Sequence, residues 1–200
     1  MTQTESDMKI RILLAAKKLF AKQGFDGTTV RQICEEAGAN VALISYYFGG
    51  KEKVFHAVID YFFVGHRLEE LEQQLKEPVS GLKLLVKEVV WFCMNEPELA
   101  SIIQQEFAAN SQRLSHITER TFPIWIKIKE LLARGKQEGV FHFESLDHTL
   151  LFVVSTALSF KKLVTLRPLF TEQEASVGAT AEHASLFVLR ALGAAGFDEQ

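Results

Sequence analysis

The sequence predicts an all-α protein: a short N-terminal three-helix segment followed by a larger helical body, about nine helices in all. Three observations predict it. Apolar residues recur at helical spacing through most of the 200 residues. No stretch sustains the period-two alternation of a half-buried strand. Residues 28–48 carry, in order, a helix start, a helix stop and a second helix start. Hydrophobic residues make up 48% of the chain, enough for a substantial core, and sixteen Phe point to an interior or a pocket lined with aromatics.

The first helix is expected from Asp7 to Gln23. Met8, Ile12, Ala15, Ala16, Leu19 and Phe20 form its apolar stripe, and Lys9, Lys17, Lys18 and Lys22 lie off it as solubilising charges. Gly24 ends it, and Phe25 turns back toward the core. Thr29 can cap a second helix, with Gln32 three residues on to complete a capping box. Gly38 stops that helix, because a residue without Cβ enters the left-handed conformation cheaply. Asn40 can cap a third helix. Its inward set is Ile44, Tyr47 and Phe48, which leaves Val41, Ala42, Ser45 and Tyr46 outward.

A fourth helix is expected from Lys51 to about Lys76, apolar first and polar later, a connecting strut. Pro78 to Gly81 breaks it. A fifth helix follows over Ser80–Asn95, and Glu96-Pro97-Glu98 restarts a sixth that runs to about Asn110. The seventh, roughly Gln112–Glu138, contains Pro123, which should kink or break it. Gly139 closes it, and Ser145 is placed to cap the next. The last two, about Leu146–Leu166 and Glu172–Ala195, are strongly apolar and rich in small residues. Together they carry more apolar surface than one small body hides, so a face shared in a homodimer is expected.

Charge is distributed unevenly. Residues 1–55 hold eight basic against six acidic residues, and the remainder holds 14 against 19. A mildly basic head on an acidic body suits a protein that turns one end toward phosphates. Cys34 and Cys93 read as buried thiols of a reducing compartment. The N-terminus lacks the apolar core of a signal peptide, and no apolar run approaches the roughly 20 residues that span a bilayer. The expected location is the cytoplasm, associated with the nucleoid. No catalytic residues, metal site or cofactor are expected: H-E-x-x-H, paired cysteines at metal spacing, G-x-S-x-G and G-x-G-x-x-G are all missing.

The stretch from Thr28 to Phe48, TTVRQICEEAGANVALISYYF, therefore reads as a helix-turn-helix, whose short second helix fits a major groove about 12 Å wide. With the trailing Lys51-Glu52, this pattern resembles the DNA-binding domain of the TetR family of bacterial transcription regulators, from about Ile10 to Phe55. Ser45 departs from it, where many members carry Tyr.

The resemblance implies a DNA-binding domain at 1–50 and a dimerisation and regulatory domain at 51–200. It implies a transcriptional regulator, a repressor, that binds a palindromic double-stranded operator as a dimer joined through its last two helices. Thr28 and Thr29 would lie near phosphate at a helix N-terminus. Asn40, Val41, Ala42 and Ser45 would reach base edges, the apolar pair suited to thymine methyls. Tyr46, Tyr47 and Lys51 would contact phosphates, though Tyr47 also fits the core. With no Arg on the recognition helix, bidentate guanine contacts are not available from it.

A small-molecule effector is a further expectation, in a cavity lined by Trp91, Phe92, Met94, Phe107, Trp125, Phe152 and Phe160. The same side chains fit a close-packed core, and the sequence leaves both open. The stretch NVALISYYFGGK is also similar to that of RefZ-type proteins, TetR-fold proteins that bind DNA and inhibit the division protein FtsZ. On that alternative the body would hold a protein partner, with Glu98, Gln104, Arg113, His116 and Arg120 as polar candidates.

Overall fold

The computed structural model describes residues 3–63, 71–159, 166–173 and 175–196. Every regular element among them is helical. The chain divides into two compact units: Met1–Val64 with Glu98–Arg120, and Gly65–Pro97 with Thr121–Gln200.

The first unit is built on α1 (Gln3–Gln23), α2 (Val30–Ala37), α3 (Val41–Phe48) and α4 (Lys51–Phe62). The expected stripe of α1 is buried at Ile12, Ala15, Ala16 and Phe20. Phe20, Phe25 and Phe55 form a mutual aromatic cluster, with centroids 5.5–5.6 Å apart. Val54, Val58 and Ile59 complete the buried face of α4. This unit takes in more chain than the 1–50 segment that the motif outlines. It includes α6 (Pro97–Ala109) and the first turns of α7 (Leu114–Gln137). Leu99, Ala100, Ile102 and Ile117 are buried there, and Gln105 Nε2 donates to Ala21 O at 2.8 Å.

The long connecting helix is not observed. α4 ends at Phe62, where Phe63 turns extended (φ −84°, ψ 98°), and residues 71–75 are turns. Leu68, expected on this helix, lies outside the described residues.

In the second unit, Pro78 does not break a helix but starts α5 (Pro78–Asn95) as its first residue, where its missing N–H costs nothing. α7 runs unbroken through Pro123. The lost backbone bond falls at an exposed position, flanked by more than two turns of helix on each side. Gly139 closes it at φ 73°, and Phe141 folds back against Gly135, where a Cβ would meet its ring at 2.1 Å.

Ser145 caps α8 (Leu146–Leu158), its hydroxyl accepting from His148 N. The last helix is shorter than expected, and residues 160–165 of the expected range of the one before it lie outside the described residues. α8 is described as Leu146–Leu158, a 3-10 turn lies at Arg167–Leu169, and α9 (Val177–Ala191) begins after Ser176, whose hydroxyl accepts from Ala179 N. Ser176 outcompetes Glu172 as a start because its side chain satisfies an orphan N–H. The small residues Ala181, Ala184 and Ser185 are buried where α9 packs on α5. Glu182 sits between Lys83 Nζ (2.6 Å) and Lys87 Nζ (2.8 Å), and these bonds hold its carboxyl below the usual range.

Candidate nucleic-acid interface

Caps set the geometry of the motif. Thr29 Oγ1 accepts from Gln32 N at 3.3 Å, and Gln32 Oε1 accepts from Thr29 N at 2.9 Å, so the capping box is complete. Gly38 ends α2 in the left-handed conformation (φ 63°) and donates to the carbonyls of Cys34 and Glu35. Asn40 Oδ1 accepts from Leu43 N at 3.0 Å and opens α3. Gly49, at φ 80°, closes it. Ile33, Ala37 and Ile44 are buried and fix α3 in rotation about its axis. Burial pushes the Cys34 thiol up, out of the range of a nucleophile.

That rotation presents Asn40, Val41, Ala42, Ser45 and Tyr46 to solvent. Tyr46 is 75% exposed and Val41 47%. Asn40 spends its carbonyl oxygen on the cap and turns its amide donors to the outside. Tyr47 is half-buried. Its ring lies 5.2 Å from that of Tyr46 and under Lys9 Nζ at 5.2 Å. Thr29 is exposed at the N-terminus of α2, where unpaired N–H groups and the helix dipole favour an anion.

Two of the residues implied for phosphate contact are placed differently. Thr28 is fully buried. Its hydroxyl donates to Gly24 O at 2.7 Å and its N–H to Phe25 O, so it shapes the turn from within. Lys51 is half-buried, its Nζ donating to Phe25 O (2.9 Å) and Thr28 O (2.8 Å) and lying 4.1 Å from the Phe25 ring centre. Two of its three donors thus close the turn before α2, because the carbonyls there have no helical partner.

Sequence reasoning missed Gln32 as a hub: besides the cap, its Oε1 accepts from Gln23 Nε2 at 3.2 Å. It also missed Lys9, which the helical period of α1 could have placed beside α3.

The described members of the aromatic set fall in both units. Phe107 belongs to the first unit and is 43% exposed. Phe152 is 66% exposed on α8 and Trp91 47% exposed on α5, so amphipathic spacing placed both on the solvent side. Phe92, Met94 and Trp125 are partly buried against the core of the second unit. Phe160 lies outside the described residues.

Four of the polar set are ion-paired within the first unit. Glu98 pairs with Lys17, His116 and Arg120 with Asp60 (3.1 and 2.8 Å), and Arg113 with the buried Glu106. Gln104 and Arg120 are the exposed members of the five.

Residues 12–58 match the family model of bacterial regulatory proteins, tetR family. The HTH-type transcriptional repressor NicS of Pseudomonas putida (strain KT2440) is 29% identical over 153 residues, covering 72% of this chain and 71% of NicS. The probable HTH-type transcriptional regulator YttP of Bacillus subtilis (strain 168) is 31% identical over 113 residues, covering 54% of this chain and 55% of YttP. The crystal structure of HlyIIR, a hemolysin II transcriptional regulator, superposes with a TM-score of 0.71 at 30% identity, over 90% of this chain and 97% of that one. All three are described as transcriptional regulators, and the FtsZ-directed reading finds no support in them.

Proposed function

From a chain that belongs to the tetR family of bacterial regulatory proteins and is a helix-turn-helix DNA-binding regulator of transcription, we infer that two copies bind one palindromic operator and repress the adjoining gene. The observation that carries this reading is the outward face of α3. Val41, Ala42, Ser45 and Tyr46 are exposed side by side while Ile44, among them in sequence, is buried. In this reading Val41 and Ala42 meet thymine methyls, and Asn40 and Ser45 hydrogen-bond base edges. Tyr46, Tyr47 and the N-terminus of α2 at Thr29 hold phosphates.

Pairing of two copies through α8 and α9 is supported by the apolar side chains those helices leave open. Leu151 is 57% exposed, Phe152 66% and Phe187 64%. Phe187 also borders an open concavity of about 570 Å³, lined with it by Ser155, Thr156, Ser159, His183 and Ala184. Apolar side chains of this size, left open together, mark an association surface. A two-fold dimer implies an operator of two symmetric half-sites set by helical-turn spacing.

A small-molecule effector that favours the non-binding dimer completes the reading. It is supported by Thr121 Oγ1, which is buried with no hydrogen-bond partner among the described residues and stands one turn before Trp125 on α7.

Selection of duplexes from a random pool by the purified chain, followed by footprinting, tests the proposal. The expected product is a near-palindrome protected on both half-sites. A single asymmetric half-site, or no enrichment at moderate salt, overturns it.

A further inference from the structure

The most unusual polar group of the first unit is Glu106, a carboxylate only 4% exposed on α6. A buried charge of this kind persists only when it is paired and hydrogen-bonded. Its partners come from the turn that follows α6. Arg113 Nε donates to Glu106 Oε2 at 2.9 Å, and the Ser111 hydroxyl donates to the same oxygen. The bend in the chain is fixed by Asn110, the one non-glycine residue with positive φ (45°) among the described residues.

The pair has a destination. The Arg113 guanidinium lies 3.8 Å from the centre of the Phe25 ring and 5.7 Å from that of Phe55. Phe25 also receives Lys51 Nζ at 4.1 Å, and Lys51 in turn holds the carbonyls of Phe25 and Thr28. Thr28 immediately precedes Thr29, the cap of α2. One aromatic ring is thus shared by two cations, one from α4 and one from the α6–α7 turn. Each cation is also answered by other groups, Arg113 by Glu106 and Lys51 by two carbonyl dipoles.

We propose that Arg113 is a positioning residue for DNA recognition: held by Glu106, it clamps Phe25 and through it the turn that sets the α2 cap and the pitch of α3. Arg113 touches no base or phosphate in this scheme. It rests on the DNA-binding reading given above, and it assigns to α6 and its turn a part in site selection that the helix-turn-helix sequence does not contain.

A positioning residue loses discrimination, whereas a direct phosphate contact loses affinity for every duplex and lowers the salt slope by about one unit. The test uses the full chain and two probes: the duplex it selects from a random pool, and a scrambled duplex of the same length. Arg113→Ala is expected to weaken the selected duplex about three- to thirtyfold, the range of a partly desolvated cation–π contact. The scrambled duplex should change less than about twofold, with the salt slope unchanged. Phe25→Leu should give the same loss, and the double variant no more than either alone.

Should Arg113→Ala fail to fold, Glu106→Gln keeps the shape and removes the anchoring charge, and it is expected to reduce selectivity in the same direction. Equal losses on both probes with a reduced slope, full additivity with Phe25→Leu, or selectivity retained within about twofold in Glu106→Gln each overturn the proposal. A wild-type chain that enriches no duplex instead overturns the DNA-binding reading itself, before any variant is compared.

Discussion

Single side chains in the first unit do more than their residue type suggests. Lys51 looked like a phosphate contact because a lysine trails the motif, yet its ammonium closes two backbone carbonyls. Lys51→Ala therefore removes two charge-assisted bonds as well as any phosphate contact, and should cost about 2 kcal/mol of stability in denaturant titration. Unchanged stability with a reduced salt slope would restore the phosphate role. Thr29→Ala removes one half of the capping box and should cost about 1 kcal/mol in the same measurement.

His56 gives a pH dependence. Burial, and then the neighbouring His116, whose ring stacks on it at 4.2 Å, depress its pKa below 6.5, against the weaker pull of Glu52 and Asp60. The unfolded chain then binds this proton more tightly than the folded one. The His56 contribution is complete above pH 6.5 and is lost as acid carries the solution down through the folded value. Thermal unfolding followed from pH 7.5 to 5 should show a falling midpoint that flattens in His56→Gln.

At the scale of elements, the helix-turn-helix was legible in the chain almost to the residue. Its signals are local: Thr29 with Gln32, Gly38, Asn40 and Gly49 each act on backbone within five positions. The end of the fourth helix was not legible, because the apolar run through Phe62 and Phe63 continues into leucines at helical spacing. The shortened α9 has the same cause: apolar composition extends beyond the cap that actually starts the helix.

The deepest blind spot was the α6–α7 turn, where Arg113 and Glu106 are seven apart and meet only because the chain bends at Asn110. No periodic pattern reports such a pair, so Arg113 read as surface. Changes on the outward face of α3 should act on selectivity alone. Val41→Ser and Ala42→Ser are expected to change the enriched sequence in a pool selection while leaving the thermal midpoint in place, since neither is buried.

For the whole molecule, the proposed pairing face sets the decisive measurement. Phe152→Glu with Phe187→Glu places two charges on side chains that are 66% and 64% exposed in a single chain. A monomer by sedimentation, still helical, with much weakened binding to the selected duplex, is the expected outcome. An unaltered sedimentation coefficient would move the contact elsewhere. No helix among the described residues is long and apolar enough to cross a membrane, and those residues hold no group of three or more potential metal ligands.

The fully buried Ile44 and its exposed neighbours Val41, Ala42 and Ser45 divide α3 between two kinds of selection. One position answers to folding, and the others answer only to whatever duplex they face. A lineage carrying this chain can therefore rewrite its target by a few codons at a time, each step leaving a soundly folded protein behind, and drift toward new promoters without crossing an unstable intermediate.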